Sequence, residues 1–206
     1  MNPDRSGMLI TIDGIDGSGK STLASALAAH LSAAGRPAVV HRPVNAGQDG
    51  LPALRRVASF AGTRDAGVAA GLDIYALHLT YAFVAYAVDE VVPALAAGTT
   101  VICDRYVTSH RANQAVFGVD LSSVEPLLRS LPAPDHEFHL RLAPEDAKRR
   151  IALRAGAAGV FDGGDLLARA AEAFDAAADG KAHRIDASAD PDAILRTVVA
   201  ILDGGA

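Results

Sequence analysis

The chain has 206 residues, of which 50% are hydrophobic and 21% are charged, a composition that suits one globular domain with a substantial core. Its formal net charge of −5 argues against a general nucleic-acid-binding protein. Cys103 is the single cysteine, so an intramolecular disulfide is excluded.

Short apolar segments alternate with segments of helical periodicity along the chain. In chain order we predict a strand at 8–13, a helix at 21–35, a strand at 38–42, helices at 50–62 and about 66–97, strands at 99–104 and 136–142, helices at 144–156 and 165–180, a strand at 182–188 and a helix at 191–205. Pro93 either opens a new turn in the long middle helix or kinks it. The alternation predicts an α/β fold, with a parallel five-stranded sheet covered by helices on both faces.

The sequence also bears on domain organisation and location. No linker or repeat divides residues 1–206, so we expect one domain, with a mobile glycine-rich lid at about 150–165. Glycine, proline or charge interrupts each apolar run, and the N-terminus lacks the pattern of a signal peptide. We therefore expect a cytoplasmic protein with no membrane segment.

The segment GIDGSGKS at 14–21 fits the phosphate-loop pattern G-x-x-x-x-G-K-[ST], between a predicted strand and a predicted helix. Glycines let successive backbone N–H groups point at phosphate oxygens, and the helix N-terminus adds its positive dipole end. Lys20 can reach the β- and γ-phosphates, and Ser21 can ligate Mg²⁺. The predicted ATP-binding residues here are Gly14, Ile15, Asp16, Gly17, Ser18, Gly19, Lys20, Ser21 and Thr22.

Such a loop is shared by kinases, GTPases and ATPase motors. The chain has no N-K-x-D segment to read guanine, and a motor is usually longer and carries a second acidic strand motif. The small size favours a phosphotransferase that closes a lid over two substrates.

The stretch VICDRYVTSHRANQ at 101–114 places Asp104 and Arg105 at the end of a hydrophobic strand. Ligands bind at the carboxyl ends of strands in open α/β sheets. Asp104 is a candidate to hold Mg²⁺, directly or through water, and Arg105 to grip a phosphate bidentately. An ordinary surface ion pair is the alternative.

The segments IDGIDGSGKST and DRYVTSHRANQ together resemble those of thymidylate kinases, and the resemblance extends in order over nearly the whole chain. It implies transfer of the γ-phosphoryl group of ATP to a nucleoside monophosphate, with Mg²⁺. Asp16 matches the carboxylate that contacts the acceptor's sugar hydroxyl, Arg105 the arginine that binds its phosphate, and Gln114 a glutamine near the acceptor. Gly17 replaces a loop arginine, as in bacterial members, which supply the catalytic arginine from the lid.

The helix that leads into the lid carries three arginines. Arg150 and Arg154 lie one turn apart on one face, and we assign Arg150 to ATP and Arg154 to catalysis. A solvated basic helix end is the alternative for these residues and for Arg149.

The chain departs from the family where the pyrimidine is read. No Lys or Arg lies between Arg64 and Arg105, and the position of the family's base-reading arginine falls on Phe83 or Val84. Arg42 is the candidate substitute, so Phe83 and Arg42 join the predicted acceptor residues.

The leading interpretation is a kinase for dTMP or a related nucleotide. The alternatives are a kinase of the same scaffold for a modified nucleoside or another small metabolite, and a non-catalytic nucleotide-binding protein. Intact Lys20, Ser21, Asp104 and Arg105 argue against the last. We expect small nucleotides as partners, no nucleic acid, and a possible homodimer through the apolar middle helices, as the resembled family forms.

Overall fold

The computed structural model describes residues 6–45, 59, 71–153, 165–178 and 180–204. Five strands lie within them: β1 (Leu9–Asp13), β2 (Ala38–His41), β3 (Thr100–Asp104), β4 (His136–Arg141) and β5 (His183–Asp186). All neighbouring strands are parallel, in the order β2-β3-β1-β4-β5. The predicted α/β fold with a parallel five-stranded sheet is confirmed, and each predicted strand lies within two residues of its observed bounds.

The described helices are α1 (Lys20–Ala33), α2 (Leu72–Tyr86), α3 (Val92–Ala96), α4 (Val107–Val116), α5 (Glu125–Ser130), α6 (Pro144–Ala152), α7 (Leu166–Ala177) and α8 (Pro191–Leu202). A single 3-10 turn follows β2 at Pro43–Asn45. The predicted helix at 50–62 lies outside the described residues except for Ser59, which is helical. The sequence analysis did not predict α4 or α5.

Two clusters of buried apolar side chains cover the sheet. One contains Ile10 and Ile12 of β1 with Leu27 of α1 and Val198 of α8. The other contains Leu9 of β1 with residues of the middle helices, including Phe83 and Leu95. Successive residues of a strand point to opposite faces, so helices cover both faces, as predicted.

The middle helices form one continuous helical run that Pro93 does not break. A π-helical segment, Ala87–Val91, joins α2 to α3, and Pro93 lies in the first turn of α3. Proline cannot donate a hydrogen bond to the preceding turn, and a widened turn accommodates it. By length and composition alone, Asp73–Ala96 is apolar enough to cross a membrane, which the sequence analysis had not expected. A core helix of a soluble protein meets the same criteria.

The order of the strands determines where the motifs meet. β1 lies between β3 and β4, and Ile12 is in register with Asp104. The carboxyl ends of β1 and β3 are therefore adjacent, so the loop that follows Asp13 lies beside Asp104 and Arg105.

Candidate active site

The phosphate loop runs from the end of β1 to the start of α1 at Lys20. Gly17 has a φ of 84°, a conformation that side chains rarely adopt, and a Cβ there would lie 2.8 Å from the backbone oxygen of Ala147 in α6. An arginine at position 17 would therefore be strained, and α6 would have to shift to make room for it. The close packing of α6 on the loop gives a physical reason for the glycine.

Lys20 is 5% exposed, and its Nζ donates a 2.7 Å hydrogen bond to the carbonyl oxygen of Ile15. Burial, together with the positive charge of Arg105, lowers the pKa of Lys20 to about 7, although Asp16 and Asp104 act in the opposite direction. The hydrogen bond to Ile15 holds the amine against the backbone of the phosphate loop.

The side chains of Ser21 and Asp104 bring two oxygen atoms together that could act as metal ligands. Ser21 Oγ donates to Asp104 Oδ2 at 2.6 Å, and Arg42 Nε donates to the same oxygen at 3.0 Å. Mg²⁺ prefers oxygen ligands and is often held by one or two protein groups together with substrate phosphates and water. The pair fits this pattern, and the described residues contain no cluster of three or more His, Cys, Asp or Glu that would hold a metal without a substrate.

Arg105 and Asp16 form an ion pair beside the phosphate loop. The Nη2 of Arg105 forms an ion pair with Asp16, and its Nη1 donates to the carbonyl oxygen of Gly14 at 3.2 Å. Asp16 is also 3.9 Å from Lys20 Nζ. The residues predicted to hold the acceptor's sugar and phosphate are thus bonded to each other beside the donor loop.

The remaining predicted acceptor residues, Phe83, Gln114 and Arg42, differ in their burial and contacts. Phe83 is 0% exposed, and its ring stacks on His110 at 5.3 Å between centroids. Gln114 is buried on α4, and Arg42 pairs with Asp104. The buried position of Phe83 therefore does not support a direct contact with an acceptor, whereas Arg42, between β2 and the 3-10 turn, contacts Asp104 of the site.

His110 is a further residue of this region that the sequence analysis did not assign. Its Nε2 lies 2.8 Å from Thr80 Oγ1 of α2, and burial lowers its pKa to about 4. Near neutral pH the ring is uncharged. The contact between Phe83 of α2 and His110 of α4 is consequently aromatic and neutral.

The structure leaves part of the predicted site undescribed. Arg154 and the glycine-rich segment after it, 155–164, lie outside the described residues. Arg150 is half-buried on α6, and Arg149 forms an ion pair with Asp146 on the same helix. Ser18 is buried and Thr22 is exposed at the start of α1.

Asp13 is another residue without a predicted role. It is 0% exposed at the end of β1, and its Oδ1 accepts hydrogen bonds from the backbone N–H groups of Tyr106 and Ser109 and from Ser109 Oγ. Burial raises its pKa, against the effect of these hydrogen bonds. An acidic residue directly before the first loop glycine was the available sequence signal.

Comparisons with known proteins agree with this geometry. The family model described as thymidylate kinase matches residues 12–198. A thymidylate kinase of Xanthomonas euvesicatoria is 38% identical over 197 residues, which cover 95% of this chain and 83% of that protein. A thymidylate kinase of Ruegeria pomeroyi is 34% identical over 204 residues, which cover 95% of this chain and 94% of that protein. The chain therefore belongs to the thymidylate kinase family and is a phosphotransferase of the thymidylate kinase type.

Proposed function

We propose that this phosphotransferase moves the γ-phosphoryl group of ATP to the phosphate of a nucleoside monophosphate, with dTMP as the first candidate acceptor. One observation supports this most strongly: a chain of direct contacts runs from Ser21 to Asp104 and, beside it, from Lys20 through Asp16 to Arg105. Under this proposal, the groups that bind the donor and those that bind the acceptor meet at one edge of the sheet.

The loop side of this site would bind ATP. Its backbone N–H groups, the N-terminus of α1 and Lys20 would neutralise charge on the β- and γ-phosphates, which is most of what phosphoryl transfer requires. Ser21 and Asp104 would hold Mg²⁺, which neutralises phosphate charge when bound.

The acceptor would replace the contact between Asp16 and Arg105. Its phosphate would take the guanidinium of Arg105, and its sugar hydroxyl would take the carboxylate of Asp16. Because these two groups pair with each other in the free protein, acceptor binding exchanges one charged contact for two.

A panel of acceptors tests the proposed function. Release of ADP from ATP should depend on a nucleoside monophosphate, and it should be much slower with the parent nucleosides or with water alone. Equal rates with and without acceptor would show an ATPase, and transfer to a nucleoside or an unrelated metabolite would favour the alternative substrate class.

We expect weak discrimination among bases. The contact between Phe83 and His110 is neutral, and no Lys or Arg lies between Arg64 and Arg105. A lost charged hydrogen bond reduces specificity by roughly 10- to 100-fold. The values of kcat/KM for dTMP, dUMP, dCMP and dGMP should therefore lie within about 10-fold of each other.

A strong preference for dTMP would contradict this expectation and would show that another residue reads the base. Arg42 is the first candidate, although it is bonded to Asp104 in the free protein. In that case Arg42→Ala should abolish the preference.

We further propose that Arg154 enters the site when the lid at about 150–165 closes over it. Arg154→Ala should lower kcat by at least about 100-fold with little change in the KM for ATP, because the contact forms mainly in the transition state. Arg149→Ala is the matched control, since Arg149 pairs with Asp146, and its kcat should stay within about 2-fold of wild type. Loss of ATP affinity at unchanged kcat would instead make Arg154 a ground-state contact.

The exposed face of α2 is the proposed contact between copies of the chain. Ile74, Leu77, Tyr81 and Val88 are spaced to lie along one side of the helical run, and they are 62%, 39%, 55% and 51% exposed. Sedimentation should give a dimer for the wild type and a monomer for Tyr81→Glu. A monomeric wild type would contradict the proposal. We also propose a cytoplasmic location and no nucleic-acid partner, in keeping with the net charge.

A further inference from the structure

Arg105 has an unusual backbone conformation. Among the described residues it is the only non-glycine residue with a positive φ, at 77°. This left-handed conformation is unfavourable for a residue with a Cβ, and such residues persist only where the surroundings hold them. What holds Arg105 therefore determines where its guanidinium lies.

Both peptide groups that flank Arg105 are bonded to β1. The N–H of Arg105 donates to the carbonyl oxygen of Ile12 at 3.0 Å. The N–H of Tyr106, which belongs to the peptide on the other side of Arg105, donates to Asp13 Oδ1 at 3.1 Å. The backbone of Arg105 is thus attached to β1 at two successive points, and one of the two acceptors is a side chain.

The same carboxylate oxygen also binds the first turn of α4. Asp13 Oδ1 accepts from the N–H of Ser109 at 3.0 Å and from Ser109 Oγ. The first turn of a helix has N–H groups without partners in the helix, and α4 has no capping hydrogen bond from its own N-cap side chain. A carboxylate from β1 therefore caps α4 immediately after the strained residue.

The burial of the Asp13 carboxylate would be unfavourable without its hydrogen bonds. It has no exposed surface, and its Oδ2 has no hydrogen-bond partner among the described residues. Burying a carboxylate is unfavourable unless hydrogen bonds or charges compensate it. Its three donors all come from the segment that presents Arg105, so the compensation is specific to that segment.

We propose that Asp13 is a positioning residue that fixes the Arg105 guanidinium beside the phosphate loop. The next residue after Asp13 is Gly14, the first glycine of that loop, and Arg105 Nη1 donates to the Gly14 carbonyl oxygen. One residue therefore sets the distance between the donor site and the acceptor arginine. The catalytic consequence depends on the proposed function, in which Arg105 binds the acceptor's phosphate.

Asp13→Asn tests this role, because asparagine keeps the size of the side chain and one acceptor oxygen but loses the charge. We expect kcat/KM for the acceptor to fall by roughly 10- to 100-fold, with the KM for ATP within about 2-fold of wild type. A general loss of folded protein would not affect the kinetics of the acceptor selectively and leave the KM for ATP unchanged.

Asp135→Asn is the matched control. Asp135 also binds β1 through its carboxylate, since Oδ2 accepts from the N–H of Leu9 at 2.7 Å, but at the opposite end of the strand. The same chemical change there should lower the unfolding midpoint and leave both KM values unchanged. If the two substitutions lowered kcat/KM for the acceptor equally, the proposal would be overturned.

Ser109→Ala keeps the Asp13 charge and removes one of its three donors, so it remains informative if Asp13→Asn does not fold. We expect kcat/KM for the acceptor to fall, but by less than it falls in Asp13→Asn. Crystal structures of both variants give a readout independent of turnover: Arg105 should leave its left-handed conformation or lose its bond to Gly14 when Asp13 is replaced. An Arg105 that stays unchanged overturns the inference, whereas a wild type inactive on every nucleotide overturns only the proposed function.

Discussion

Lys20→Ala is expected to lower kcat for phosphoryl transfer by at least about 100-fold while the protein remains folded. Lys20 Nζ lies within the loop, 2.7 Å from the carbonyl oxygen of Ile15, where it would meet the transferring phosphoryl group. Removing a single preorganised group of this kind commonly costs 10²- to 10³-fold in rate. Steady-state kinetics with saturating ATP and acceptor measures the effect.

The stability of the Lys20→Ala protein should not fall. Burial lowers the pKa of Lys20 to about 7, so the fold holds this amine at a cost. Lys148→Ala, at an exposed position of α6, is the control and should leave both rate and stability unchanged. Near wild-type transfer by a folded Lys20→Ala protein would refute the assignment.

Arg105→Ala is expected to lower kcat/KM for the acceptor by roughly 10²- to 10⁴-fold, because two charged hydrogen bonds to its phosphate would be lost. The KM for ATP should change much less, since we propose that Arg105 binds the acceptor and not ATP. Initial rates at varied acceptor and fixed saturating ATP separate the two effects.

Arg105→Gly makes this test sharper. Arg105 has a φ of 77°, which glycine adopts without strain, so the glycine variant should be more stable than the alanine variant by about 1 kcal/mol. Its activity should be equally low. An alanine variant with normal acceptor kinetics would contradict the role of the guanidinium, and an alanine variant as stable as the glycine variant would contradict the strain.

The strands of the sheet and the phosphate-loop motif could be predicted from the sequence because both depend on local patterns. The strand at 8–13 is a short apolar run, and the loop at 14–21 has fixed glycine positions, so each segment carries its own signal. The order of the strands, in which β1 lies between β3 and β4, was not predicted, because it depends on contacts between distant parts of the chain.

Helix α4 was not predicted because its stability comes from distant residues. Its sequence, VTSHRANQAV, is polar, and Thr108, Ser109, His110 and Gln114 are nonetheless buried. The carboxylate that caps it belongs to Asp13, more than 90 residues earlier in the chain. Local sequence patterns do not reveal a contact between residues so far apart in the chain.

The burial of Phe83 has a similar origin. We predicted an acceptor role for Phe83 by counting residues back from Asp104, but such a count cannot show which way the side chain faces. The ring packs edge-to-face on Tyr106 and stacks on His110, so two residues of the segment after β3 fix its place in the core.

The fate of the labelled phosphoryl group tests the central claim most directly. Wild-type protein incubated with Mg²⁺, dTMP and ATP labelled at the γ-phosphorus should produce labelled dTDP and an equal amount of unlabelled ADP. Little labelled inorganic phosphate should appear. Label that appears as inorganic phosphate whether or not a nucleoside monophosphate is present, with no labelled nucleoside diphosphate for any acceptor, would contradict the claim that this chain is a nucleoside monophosphate kinase.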